Sequence, residues 1–333
     1  MPRSLLASYP RQGDRFDEML DENGVVRPAW RAFLGHLDGA SGEQMRHRRA
    51  DLHQRIVENG VTYNVYADPK GADRPWELDL LPLILPAAEW QQLAAAVSQR
   101  ARLLNAVLQD LYGPQELLRD GTLPPALVYG HNNFLWPCRG TRPPGDVFLH
   151  LYAADLARSP DGRWWVIADR TQAPSGAGYA LENRTIVGRV FPDLFRDLQV
   201  QHLASFFRDL QESLTSFAPQ SNEAPLVVLL TPGAYNETYF EHAYLARYLG
   251  FPLVEGQDLT VRGDCVYLKT LNGLRRVHAI LRRLDDDFCD PLELRADSAL
   301  GVAGLLQAVR AGNVLVANAL GSGLLESDEL PGF

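Results

Sequence analysis

Two aspartates on a short hairpin are the first residues here whose spacing suggests chemistry. The stretch DVFLHLYAADLARSPDGRWWVIADR reads as two strands around a turn at Ser159-Pro160-Asp161-Gly162, with Asp-Gly the strong turn element. Phe148, His150, Tyr152 and Ala154 alternate along the first strand, and residues 164–168 form the return strand. Asp155 lies seven residues before Gly162 and Asp169 seven after it. In antiparallel strands that symmetry sets the two carboxylates almost opposite each other. Such a pair repels itself unless a cation neutralises it or one acid keeps its proton. Magnesium takes hard oxygen ligands, commonly one or two carboxylates together with phosphate oxygens. Two readings stand: a magnesium–phosphate site, or two surface carboxylates beside a turn.

The next segment, TQAPSGAGYALENR, carries a glycine-bearing loop. Backbone N–H groups around Ser175, Gly176 and Gly178 could face an anion. The loop is neither a P-loop nor a dinucleotide fingerprint, so an ordinary turn is the alternative. Glu182, Asn183 and Arg184 put an acid, an amide and a guanidinium in succession, on a solvated surface or toward a ligand. Arg170 and Arg184 have the fork geometry that clamps phosphate or carboxylate oxygens.

Further on, Asn236, Glu237, Glu241 and His242 follow the strand-to-loop sequence TPGAY. A helix starting near Asn236 would face the crevice at a strand's carboxyl end. Asn236 is also a good helix N-cap. The spacing of Glu237, Glu241 and His242 is poor for zinc. Lys269 reads as a solvated strand lysine, and Arg282-Arg283 with the following aspartates as a solvated, self-paired segment, unless one arginine faces a ligand. His131, beside Asn132 and Asn133, reads as structural. No GxSxG elbow appears, which disfavours ordinary serine hydrolysis.

The elements that must position these residues are legible in part. MRHRRADLHQRIVENG reads as a solvated helix stopped by Gly60, and VTYNVYAD as a strand ending in the turn PKGADRP. Helical periodicity covers residues 88–119, closed by Gly113 and Pro114, and two amphipathic segments are expected there. Residues 120–145 read as a loop-dominated crossing and 193–216 as helical. PLVVLLTPG, NETYFEHAYLARYLG and FPLVEGQDLTV form a strand–helix–strand unit, the mark of a parallel sheet. DCVYLKTLNGLRRVHAILRRL reads as a hairpin turning at Asn272-Gly273, and residues 298–320 as a short helix and an apolar run.

The 333 residues exceed a single core, so more than one domain is expected. The reading divides them into an N-terminal α/β region (1–145), a hairpin and glycine-loop region (146–222) and a Rossmann-like region (223–333). A net charge of −9 argues against nucleic acid, which needs concentrated positive charge. Cys138, Cys265 and Cys289 match no metal or redox spacing. No apolar run suits a secretory leader or a membrane span, so a cytoplasmic protein is expected.

A resemblance joins these pieces. GVTYNVYAD, RPWELDLLPLILPAAEW, QRARLLNAVLQDLYGPQ, ADRTQAPSGAGYALENR, TPGAYNETYFEHAYLARYLGFPLVEGQDL, RRLDDDFCDPLELR and NALGSGLLE together resemble the circularly permuted ATP-grasp proteins, type 2, of the glutathionylspermidine-synthase-like kind. The resemblance implies an α/β ATP-grasp fold with a Rossmann-like substrate-side domain. It implies ATP and Mg2+ as cofactors, and a ligase joining a small-molecule or peptide carboxylate to an amine through an acyl phosphate. A non-catalytic scaffold that binds a protein partner or a second copy is the alternative.

In the family pattern an Asp on one strand and Glu-x-Asn on the next hold magnesium. Asp155 stands at the first position, Asp169 at the Glu position and Thr171 at the Asn position, the last two being departures. Glu182 and Asn183 are candidates for the missing oxygens. Arg170 and Arg184 are expected to steady oxyanions, with Asn236, Glu237 and His242 bordering the acceptor pocket. The adenine-facing strands and nucleotide lysines should follow NALGSGLLE in the permuted order. The expectation is therefore a chain truncated near that junction and inactive by itself.

Overall fold

The computed structural model describes residue 9 and residues 14–37, 40–64 and 76–327. The chain forms two compact units built from interleaved stretches. The first takes residues 1–96, 156–167 and 177–203; the second takes 97–155, 168–176 and 204–333.

In the first unit, α1 (Pro28–Leu37) and α2 (Gly42–Glu58) precede the start of α3 (Ala87–Tyr112). A capping box opens α2: Gln44 N–H donates to Ser41 Oγ, and Ser41 N–H donates to Gln44 Oε1. Asn59 ends α2 and Gly60 follows at φ +64°, as the sequence suggested. Of the strand expected over 61–68, residues 61–64 carry only one bridge residue; the remainder and the turn through 69–75 lie outside the described residues. One helix, α3, occupies most of the 88–119 segment and stops before Gly113. A separate short turn, α4 (Glu116–Arg119), follows, and α5 (Pro125–Tyr129) interrupts the expected loop crossing.

The hairpin strands are β1 (Ala153–Arg158) and β2 (Trp164–Arg170). The first strand starts later than its alternation predicts. Side-chain amides take the place of a ladder ahead of it. Asn105 Oδ1 accepts from Phe148 and Leu149 N–H, and Asn318 Oδ1 accepts from His150 and Leu151 N–H. The glycine loop then runs into α6 (Ala177–Val190), followed by α7 (Pro192–Asp197) and α8 (Ala204–Ser216).

The second unit holds the sheet that builds the site. β3 (Val227–Leu230) is wholly buried, as a continuous apolar run in a parallel sheet should be. It leads through α9 (Tyr239–Leu249) to β4 (Leu253–Val254). After β5 (Leu259–Arg262), β6 (Cys265–Thr270) and β7 (Gly273–Val277), the chain returns as β8 (Ala279–Arg282). Then α10 (Leu305–Arg310) leads to β9 (Leu315–Ala317). The four-stranded sheet has the order β4-β3-β8-β9, with every neighbouring pair parallel.

β5, β6 and β7 form a separate antiparallel sheet. Thr270 pairs with Gly273, so its turn centres on Leu271-Asn272, one residue earlier than the Asn-Gly signal suggested. Gly273 supplies φ +109° at the first strand position. The expected long hairpin stops at Val277, because the next residues join the parallel sheet. Leu108, Leu111 and Tyr112 of α3 pack with Val228, Leu230, Ile280, Leu305 and Val316 in the core of this unit.

Candidate active site

Parallel strands deliver their carboxyl ends to one side of a sheet, where α/β proteins place ligands. β3, β8 and β9 do this here. The segments after them carry Thr231, Arg283 and Asp285, and Asn318 and Glu326. A cleft of about 390 Å³ in the second unit is lined by Ala153, Asp155, Arg170, the loop 172–175, Asp285 and Glu326.

Three acids and one arginine face this cleft. Arg170 Nη2 donates to Asp155 Oδ2 at 2.6 Å, and both side chains are about half exposed. Glu326 Oε1 accepts the N–H groups of Thr171 and Gln172 at 2.7 and 2.8 Å. The carboxylate of Asp285 has no hydrogen-bond partner among the described residues. Desolvation by its surroundings, then the charge of Asp286, holds its carboxyl above the usual carboxylate range.

The floor of the cleft is tied from below. Asn318 Nδ2 donates to Leu151 O and Thr171 O at 2.6 and 2.7 Å. Asp286 Oδ2 accepts from Gly321 and Gly323 N–H, each at 3.0 Å. Arg282, fully buried, donates to Asn318 O, Leu284 O and Ser322 Oγ, which corrects the solvated segment expected there: Arg282, Arg283 and Asp286 are buried and spent on backbone and side-chain partners. Pro174 O accepts from Arg283 Nη1, and Gly176 N–H donates to Glu241 Oε1, both at 2.7 Å. A Cβ on Gly323 would come within 2.6 Å of the Gln172 side chain, so a larger residue there would displace that side chain.

The across-strand pairing expected of Asp155 and Asp169 is corrected. Side chains alternate faces along a strand. Arg170 shares a face with Asp155, and the neighbouring Asp169 turns inward, 3% exposed. There Arg100 Nε and Nη2 donate to its two oxygens at 2.7 and 2.6 Å, and Tyr152 Oη donates to Oδ1. Burial alone would raise the pKa of Asp169. The Arg100 and Tyr152 hydrogen bonds outweigh it and hold the carboxyl below the usual range. Thr171 is fully buried, and its hydroxyl donates to Ser322 O at 2.7 Å. Among the described residues no group of three or more His, Cys, Asp or Glu converges as a metal cage.

The remaining sequence candidates divide between the units. Ser175 and Gly176 belong to the second unit, Ser175 at the cleft. The N–H of Gly176 is spent on Glu241, which corrects its expected availability to an anion. Gly178, Glu182, Asn183 and Arg184 belong to the first unit. There Asn59 Nδ2 donates to Glu182 Oε1, Trp76 Nε1 donates to Asn183 Oδ1, and Arg184 lies 5.8 Å from the Phe195 ring.

Helix α9 starts at Tyr239, later than expected. Asn236 stands outside it, and its Oδ1 accepts from Thr238 N and Oγ1. Glu237 is exposed. His242 is buried between Thr231 and Thr238. Desolvation, then the charge of Arg283, pushes its pKa down to about 3. Lys269 Nζ donates to Gln257 O, in keeping with a surface lysine. Asp285, Glu326 and Gln172 were not singled out from the sequence. DDDF and SGLLE carry no spacing signal, since the strand ends that join them are distant in sequence.

Among the described residues no helix is long and apolar enough to cross a membrane. The chain is 43% identical over 329 residues to an uncharacterized protein of Mycobacterium tuberculosis, covering 96% of this chain and 37% of that protein. It is 40% identical over 321 residues to an uncharacterized protein of Synechocystis sp., covering 96% of this chain and 66% of that protein. The chain thus spans about a third of the length of the mycobacterial relative. A solved glutathione synthetase-like effector from Globodera pallida, in its apo form, is similar at 15% identity and a TM-score of 0.49. That match covers 81% of this chain and 64% of the effector. Residues 82–333 match the family described as circularly permuted ATP-grasp type 2. With most of its length in that match and the α/β architecture above, the chain belongs to the circularly permuted ATP-grasp type 2 family and has its fold.

Proposed function

We propose that this chain is the acid-bearing part of an ATP- and Mg2+-dependent ligase that joins a carboxylate to an amine through an acyl phosphate. The observation that carries the reading is the cleft at the strand ends, which Asp155, Asp285 and Glu326 line together with Arg170 and Ser175 in a chain of this family.

The donor chemistry fits a hard divalent cation. Carboxylate oxygens suit Mg2+, which keeps waters and shares phosphate oxygens rather than filling an all-protein cage. Asp285, with its raised carboxyl, would gain most from a nearby cation; Asp155 and Glu326 would complete the protein's share. Bound there, Mg2+ supplies neutralisation of phosphoryl charge. Arg170 would exchange its Asp155 contact for a phosphate or carboxylate oxygen, which its planar fork can hold with two donors. Asp169 and Thr171 would hold β2 and the cleft floor in place. His242 would act from below, neutral and buried.

The test uses the 333-residue chain and the longer Synechocystis relative in parallel. ADP release should require Mg2+ together with a carboxylate and an amine drawn from panels of each. No Mg2+-dependent ATP binding and no turnover in either protein would overturn the ligase reading. The non-catalytic scaffold remains a second reading. The engagement of Asp155 by Arg170 and of Asp169 by Arg100 favours it, because neither acid stands open. Such a scaffold would bind a protein or a second copy with no nucleotide requirement.

A further inference from the structure

Glu241 and Arg283 form an ion pair at 3.2 Å with side chains 0% and 2% exposed. Taking two charges out of water is costly, and mutual attraction offsets the cost only when geometry is excellent and the remaining donors are satisfied. Here Arg283 Nε is buried without a partner. Two apolar side chains would serve the stability of this position as well. What they could not do is hold backbone groups.

The pair holds two. Arg283 Nη1 takes Pro174 O and Glu241 Oε1 takes Gly176 N–H, both at 2.7 Å. These two groups flank Ser175, which is exposed at the cleft. Gly176, at φ +112°, gives the backbone the conformation that brings its N–H to the carboxylate.

We infer that Glu241 and Arg283 are positioning residues: a buried clamp that fixes the loop on both sides of Ser175 so that this serine meets an anionic ligand oxygen in the cleft. The ligand contact rests on the ligase reading above; the clamp itself does not.

The experiment compares wild type, Glu241→Leu/Arg283→Met, Arg283→Lys and Ser175→Ala. Amide exchange of peptides covering 172–178 reads the clamp without any ligand. The double variant should melt within a few degrees of wild type while exchange in this loop rises about tenfold and exchange elsewhere in the second unit stays put. Arg283→Lys, which keeps a charge and loses the fork, should fall between them and serves if the double variant does not fold. In turnover, the clamp variants and Ser175→Ala should each lower kcat/KM about tenfold, and combining them should add nothing further.

Unchanged loop exchange overturns the clamp, and fully additive losses overturn its action through Ser175. Raised exchange leaves the clamp standing even where neither this chain nor the longer Synechocystis relative binds or turns over ATP, the outcome that removes the ligase reading.

Discussion

Arg100 grips Asp169 with both arms of its guanidinium, Nε to Oδ1 at 2.7 Å and Nη2 to Oδ2 at 2.6 Å. The aspartate is buried and its partner only partly exposed, so this contact ties the base of β2 to helix α3. Asp155, on the other strand of the hairpin, shares an exposed contact with Arg170 instead. Two acids related by sequence symmetry thus have different consequences.

Asp169→Ala leaves Arg100 without its buried partner and should destabilise the fold by about 3 kcal/mol. Asp155→Ala, in an exposed pair, should cost about 1 kcal/mol or less and yet abolish Mg2+-dependent turnover. Urea melts beside ADP-release assays separate the two. Because the folded pKa of Asp169 is lowered, its contribution is present above the unfolded carboxylate pKa of about 3.9 and is lost as pH falls through the folded value.

His150 and His242 set a second pH window. His150 is pushed down to about 4 by burial and His242 to about 3, so both stay neutral in the fold while the unfolded chain takes up protons below about 6.5. The unfolded state then binds more protons, and stability falls as pH drops from about 6.5 toward 4. Melting temperature measured against pH should show this slope. His150→Phe, which packs beside Phe217, should reduce it by close to one proton.

Thr171→Val removes the hydroxyl that donates to Ser322 O and keeps the side-chain shape. The expected cost is about 1–2 kcal/mol, from leaving a buried carbonyl with one partner fewer. Mg2+ dependence of turnover should be unaltered. A large rise in the Mg2+ concentration needed would return Thr171 to the ligand set that the family pattern implies.

Gly321→Ala adds a methyl group where the Tyr112 ring already sits, at a backbone φ of +95°. Both effects act against folding, and a loss of about 2 kcal/mol or more is expected. The same substitution disturbs the N–H contact to Asp286 next to the cleft. Chemical denaturation and Mg2+ titration of the one variant should therefore both shift.

The parallel unit was legible because β3 is a continuous apolar run bounded by turn residues and followed by a helix that Gly250 ends at φ +70°. The family was legible from motif strings spread along the chain. The faces of the hairpin were not. Counting from Gly162 assumes a regular ladder, whereas Arg170 shares the face of Asp155 and Asp169 turns to the buried one. Asp285 and Glu326 were hidden for another reason. They meet because β8 and β9 are neighbours in the sheet, a fact of topology that local spacing does not carry. The clamp at Glu241 and Arg283 is hidden in the same way. Each looks like an ordinary charged residue until α9 and the end of β8 are brought to the same loop.

The interleaving of the two units also bears on biosynthesis. The first unit has its whole sequence once residue 203 is made, whereas the second still lacks β3, β8 and β9. Residues 97–155 and 168–176 must then wait on the ribosome for their partners, with the apolar face of α3 among them. A pause in translation beyond residue 203 would lengthen that wait and favour chaperone capture. No single cut in the chain could release either unit as an autonomous fragment.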